Sequence, residues 1–290
     1  IVVLFLNWCL VPLYTHVFAQ AEYGVVTYLY SLVALLLIIL TYGLETGFFR
    51  FANHEKYKDP MRVYTTGLIS LAVTSTLFVV LVWIFLGSIS SVLGSSGDSR
   101  YVMMLAVTLA IDAFTSLPFA YLRYKQRPLR FAGIKLLSIF LNIGLNLFFI
   151  VLCPVWYTTH PEWVGRFYDP DFGVGYIFLS NLIASAVTLL VLVPEIVKVR
   201  YRFDTEIWRR MIVYSFPLLV MGLAGIMNQT IDKLIYPWLV GNPDRAMSEL
   251  GVYGANYKIA IVMVMFTQAF RYAYEPFIFA QHKGNQKTQA

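Results

Sequence analysis

Apolar runs of about twenty residues, recurring between short polar loops, leave this chain little architectural choice. A helix rising about 1.5 Å per residue needs about twenty such residues to cross a hydrocarbon core about 30 Å thick. Lipid offers no partner for a free N–H or C=O, so each run must close its own hydrogen bonds as a helix. The runs in the 290-residue sequence are Ile1–Phe18, Val25–Phe49, Val63–Leu86, Tyr101–Leu122, Phe131–Leu152, Val174–Val193, Ile212–Leu239 and Gly251–Tyr274. The short alternating segments of a membrane β-barrel are not seen. The expected fold is an all-α polytopic membrane protein with eight transmembrane helices. Composition agrees: 59% of residues are hydrophobic and only 13% charged, against about a quarter charged in a soluble domain.

In a soluble protein a net charge of +6 would suggest nucleic acid. Here the cations sit in loops, and no nucleic-acid partner is expected. Loops after even-numbered spans carry four Lys/Arg (Arg50–Arg62), four (Arg123–Arg130) and five (Pro194–Met211). Loops after odd-numbered spans carry none, one, one and one. Cationic loops stay in the cytoplasm, which puts the N-terminus on the cytoplasmic side. One missed helix would scramble this alternation, so it also supports the span count. Cys9 and Cys153 show neither metal spacing nor a disulfide framework, and the four histidines are scattered. No metal, cofactor or catalytic residue is expected. No GxxxxGK[ST] loop is present, so energy would come from an ion gradient, the membrane potential or substrate flux. The sequence opens at Ile1 inside an apolar run, without a signal-peptide pattern, and reads as a fragment of a longer protein.

A repeat is visible at an offset of 227 residues. EYGVVTYLY (Glu22–Tyr30) and ELGVYGANY (Glu249–Tyr257) match at Glu, Gly, Val and the last Tyr, and each opens the second helix of a hairpin. This implies one six-helix lobe, residues 1–200, and the first hairpin of a second lobe, residues 201–290. Spans one and seven run the same way, so the axis relating the two would lie along the membrane normal.

Several stretches carry a family resemblance: TYGLETGFFRF in span two, the Ala-Glu-Tyr-Gly corner, IDKLIYPWLVG, ELGVYGANYKIA and AFRYAYEPF. Together they resemble polysaccharide biosynthesis flippases, relatives of lipid II flippases and of multidrug and toxin extrusion antiporters. The resemblance implies two six-helix lobes around a central cavity, in the bacterial cytoplasmic (inner) membrane. It also implies a lipid-linked oligosaccharide as substrate, membrane lipids as surroundings, and glycan polymerases or glycosyltransferases as pathway partners. Where many members carry Arg at the end of span one, this chain has His16.

Ionisable residues inside apolar runs are costly and therefore informative. Asp112 lies eleven residues from both Tyr101 and Arg123, near the midplane, and Asn142 reaches the same depth twelve residues beyond Arg130. Two readings stand: a polar site with Asn142 and Asn146 for a proton, Na⁺ or substrate, or an interhelical hydrogen bond. Glu45 and Lys135 each lie five residues, about 7.5 Å, from a cytoplasmic end. They read as a structural ion pair or as snorkelling side chains, with Glu45 kept beside Asp112 as an ion-coupling candidate. Arg50 closes span two, where it either holds a pyrophosphate or anchors the interface. Lys233 and Lys258 fall at one depth, beside Asp232. An Asp232–Lys258 bridge is expected to fix the hairpin, leaving Lys233 to face substrate. Asn228 shares the Asp232 face, and Arg271 and Glu275 pair at i,i+4. The candidate substrate cavity thus contains Arg50, Lys233, Lys258, Asn228, Asp112 and Asn142.

Two other functions compete with a flippase. A cation-coupled multidrug antiporter would depend on Asp112 and Glu45, with the lysines misplaced. An integral membrane enzyme of glycan assembly would need a rich extramembrane loop. The longest outer loop, Cys153–Gly173, offers only Arg166, His160, Glu162, Asp169 and Asp171.

Overall fold

Helix-start chemistry divides the chain as the apolar runs demand. The computed structural model describes residues 5–6, 8–53, 59–93 and 98–287, except for the side chains of residues 243–244, 268–269 and 271–287. The helices are α1 (Leu10–Val17), α2 (Gln20–Thr41), α3 (Leu44–Ala52), α4 (Pro60–Ile84), α5 (Leu86–Leu93), α6 (Ser99–Tyr124) and α7 (Pro128–Leu147). A π-turn, Phe148–Leu152, leads into α8 (Cys153–Thr159) and α9 (Pro161–Val164). Then come α10 (Gly175–Val197), α11 (Thr205–Val240) and α12 (Pro243–Lys287). Asp59, Asp98 and Asp204 accept backbone N–H groups at the starts of α4, α6 and α11, and Pro60 and Pro128 begin α4 and α7. Each such cap satisfies N–H groups that the helix itself cannot. Gly241, in a left-handed conformation at φ 70°, ends α11.

Among the described residues, seven helical stretches are long and apolar enough to cross a membrane: Gln20–Ala52, Pro60–Ile84, Ser99–Tyr124, Pro128–Thr159, Gly175–Val197, Thr205–Val240 and Arg245–Thr267. The chain is an all-α multi-pass membrane protein. The first expected span, Ile1–Phe18, is described as a helix over Leu10–Val17, while residues 1–4 and 7 lie outside the described residues. The expected second span differs too. Instead of one run, Val25–Phe49, there are two helices separated by Tyr42 at φ 34° and Gly43 at φ 69°.

Two clusters hold the bundle. At the end carrying the cationic loops, here the basic end, Phe48, Tyr64, Leu68, Leu117 and Met211 are buried together. Tyr64 stacks on Tyr121 at 4.3 Å, and Phe48 meets Tyr64 and Tyr124 edge-on. Lipid is as apolar as leucine, so such packing stabilises through close contact rather than through expulsion of water. At the far end, Leu10, Tyr14, Leu29, Phe178, Met247 and Leu250 form the second cluster. The linker between α10 and α11 is tied to α4, because Thr65 donates to the Arg202 carbonyl and Arg62 pairs with Asp204.

Candidate functional site

The two repeat copies meet. A Cβ placed on Gly24 would lie 1.8 Å from the Met247 carbonyl oxygen, and one on Gly251 would lie 2.0 Å from the Gln20 carbonyl oxygen. Glycine is required at both points because α2 and α12 touch backbone to backbone. The contact is reciprocal at the repeat offset, since Gln20 corresponds to Met247 and Gly24 to Gly251. A Cβ on Gly254 would lie 2.4 Å from Oγ1 of Thr27, its own counterpart. The helices therefore cross about a local twofold axis near Thr27 and Gly254. Ser248 adds a hydrogen bond to the Gln20 amide oxygen at 3.0 Å.

Beside this crossing lies a cavity of about 430 Å³ walled by α1, α2, α7, α10, α11 and α12. One polar group is a relay: the Tyr14 hydroxyl donates to Asn146 Oδ1 at 2.9 Å, and Asn146 Nδ2 donates to Asn142 Oδ1 at 3.1 Å. Asn146 is fully buried, and Tyr14 and Asn142 line the cavity. Opposite them, Asn181 donates to the Tyr30 hydroxyl at 3.3 Å. The remaining polar wall comes from Tyr23, Thr27 and Ser31 on α2 and from Gln229, Thr230, Lys233, Tyr257 and Lys258 on α11 and α12.

Lys233 is 5% exposed. Its ammonium donates to the Gln229 carbonyl at 2.6 Å and to Asp232 Oδ1 at 3.2 Å, and sits 3.6 Å from the Tyr257 ring centroid. An isolated lysine at a span centre costs about 2.5–3.5 kcal/mol. A desolvated cation–π contact returns about 2 kcal/mol, and the carboxylate covers the rest. The Asp232 carboxylate also accepts a short hydrogen bond from the Tyr253 hydroxyl. Lys258 is exposed on the cavity wall, and its backbone carbonyl accepts from Trp8 Nε1 at 3.0 Å. That bond ties the start of the chain to α12.

This arrangement corrects several expectations. Asp232 pairs with Lys233, its neighbour on the same helix, and not with Lys258. Lys233 is the held lysine and Lys258 the accessible one. Depth along the helices is shared, but rotation about α11 turns Lys233 inward and its side chain folds back along its own turn. Asp112 does not join Asn142: its Oδ1 accepts from Ser185 on α10 at 2.7 Å, while Asn142 accepts from Asn146 on its own helix and lines the cavity. Glu45 pairs with Arg123 at the basic end, whereas Lys135 lies 4.0 Å over the Phe119 ring. Arg50 covers the Tyr214 ring at 4.2 Å, away from the cavity, and Asn228 is exposed one position before the lining residue Gln229. The Arg271 and Glu275 side chains lie outside the described residues.

Asp112 therefore acts within the bundle. Asp112→Asn preserves an acceptor for Ser185 and is expected to shift stability by less than about 1 kcal/mol, as a thermal unfolding scan would read. Asp112→Leu strands the Ser185 hydroxyl, with an expected loss of about 1–3 kcal/mol.

Tyr14, Asn181 and Gln229 are cavity residues that the sequence did not single out, and Tyr30 and Tyr257 stood out only as the matching ends of the repeat. Asn181 and Gln229 were readable as amides inside apolar runs. The tyrosines look like any belt aromatic.

No curated protein and no solved structure matches the chain. The family described as polysaccharide biosynthesis protein matches residues 2–279. With the match spanning the membrane helices and both walls of the cavity, the chain belongs to the polysaccharide biosynthesis protein family.

Proposed function

We propose that this chain forms part of a flippase that carries an undecaprenyl-pyrophosphate-linked oligosaccharide across the bacterial inner membrane for cell-surface polysaccharide synthesis. Residues 1–200 form its first lobe and residues 201–290 open the second. The basic end faces the cytoplasm, and alternating access moves the substrate between leaflets. The observation that carries this reading is the charge of the cavity wall. Among the described residues, Lys233 and Lys258 are its charged lining residues, no carboxylate lines it, and tyrosines, amides and hydroxyls supply the remaining polar groups. Such a wall suits an anionic diphosphate and a sugar chain. A cation-exporting antiporter needs acids there, and Asp112 and Glu45 are engaged elsewhere.

The test is glycan export by cells carrying the complete protein. Lys258→Ala removes one charge-assisted contact and is expected to lower export about tenfold, with little change in thermal midpoint because the side chain is exposed. Export at the wild-type level would remove the cationic cavity from the mechanism. Restored drug resistance in place of glycan export would turn the assignment to the antiporter.

A further inference from the structure

A second, smaller cavity lies at the basic end, where α6, α7 and α10 terminate. We propose that it binds the phosphoethanolamine headgroup of a membrane phospholipid. Its volume is about 180 Å³, and Lys125, Arg127 and Lys198 stand around it. Neither Arg127 nor Lys198 makes an ion pair among the described residues. Lys125 lies over the Tyr121 ring at 5.5 Å. Three cations around one partly open cavity suit a phosphate, because charge-assisted hydrogen bonds to phosphate are the strong ones.

One lining group does not fit a simple anion. Glu195 is 8% exposed, and its Oε1 accepts no hydrogen bond. Arg130 Nη1 lies 2.9 Å away and neutralises the charge, but its N–H does not point at the oxygen. A buried carboxylate oxygen without a donor is costly. The cavity therefore lacks two things at once, a phosphate for its cations and an N–H donor for Glu195. A primary ammonium two carbons from a phosphate supplies both. A glycerol headgroup offers only a neutral O–H, a weaker donor to a carboxylate than an ammonium, and a quaternary choline has no N–H to donate.

The surroundings point to a lipid rather than a free metabolite. Leu129, two residues after Arg127, is 88% exposed, and Val197, next to Lys198, is 68% exposed. At the level where spans end, such side chains meet acyl chains, and basic pockets between helices at that level take lipid headgroups.

The experiment uses the full chain in detergent, with bound lipid counted by native mass spectrometry and the thermal midpoint recorded. Phosphatidylethanolamine, phosphatidylglycerol, phosphatidylcholine and soluble phosphoethanolamine are added in turn. Phosphatidylethanolamine is expected to bind best and to raise the midpoint most, with phosphatidylcholine weakest. Glu195→Gln should reduce phosphatidylethanolamine binding about tenfold, to the level of phosphatidylglycerol. Arg127→Ala/Lys198→Ala, which alters only exposed side chains, should weaken both lipids by about tenfold or more. Equal binding of phosphatidylethanolamine and phosphatidylcholine overturns the proposal. So does a preference that survives Glu195→Gln. If that variant does not fold, full retention of phosphatidylethanolamine by the double variant overturns it instead. Stabilisation by soluble phosphoethanolamine equal to that by the lipid also overturns the assignment to a membrane phospholipid.

Discussion

Gly251→Ala and Gly24→Ala are each expected to lower the thermal midpoint of the purified protein by about 2–6 °C. A methyl group at Gly24 would sit 1.8 Å from a backbone oxygen, and no rotamer change can relieve a clash between two main chains. Real Cβ contacts stay beyond 3.0 Å, so α2 and α12 must separate by about 1 Å or more along their whole crossing. Overpacking of this kind costs about 1–3 kcal/mol or more, which for a chain of this size corresponds to the stated shift. Gly225 is the control. A Cβ there meets nothing within 4 Å, and Gly225→Ala should leave the midpoint level or raise it slightly through helix propensity. Equal midpoints for Gly24→Ala, Gly251→Ala and Gly225→Ala would show that the crossing is not under this constraint. Because the contact is reciprocal, the two destabilising variants should cost similar amounts. The double variant should cost less than their sum, since one separation of the helices relieves both clashes.

Lys233→Met carries the other large expected effect. The substitution keeps length and removes charge, leaving Asp232 with only the Tyr253 hydroxyl inside a spanning helix. Breaking a fully buried pair from one side costs about 3–5 kcal/mol; with Asp232 40% exposed, the expected loss here is about 1–3 kcal/mol. Asp232→Asn/Lys233→Met removes both charges and is expected to recover most of that loss. A full double-mutant cycle read by thermal unfolding separates the pair term from the tyrosine contact. If Lys233→Met is as stable as the parent, the pair contributes nothing and the lysine is free for substrate. Glycan export by the charge-neutral double variant then reports on the part the pair plays in transport, apart from folding.

The sequence made the all-helical spans and the charged end legible, because hydrocarbon thickness and backbone satisfaction act on every residue of a run. It also brought Lys233 and Lys258 to one depth, since rise per residue is fixed. Rotation about the helix axis was not legible. Asp232 and Lys233 are adjacent in sequence and were assigned different partners, yet a long flexible ammonium folds back onto the neighbouring carboxylate. Asp112 and Asn142 share a depth but take different partners, Ser185 on one side and the Tyr14–Asn146 relay on the other. The resemblance of Glu22–Tyr30 to Glu249–Tyr257 marked the two segments as equivalent. Only the fold shows that the equivalents touch, and that the shared glycine is the point of contact.

The break at Tyr42–Gly43 divides span two mechanically. As one rod, Gln20–Ala52 would be about 50 Å long, far more than a bilayer core, while α2 alone is about 33 Å. Both pieces pack on α11 and α6, but the crossing on α12 belongs to α2 and the main contact with α4 to α3. The joint is held in a costly left-handed turn by the Tyr42 hydroxyl, 2.7 Å from Ser70 Oγ, which also accepts from Trp208 at 2.8 Å. Torque applied where α2 crosses α12 can therefore be taken up by two residues' dihedrals. The basic-end packing around Phe48 need not turn with it.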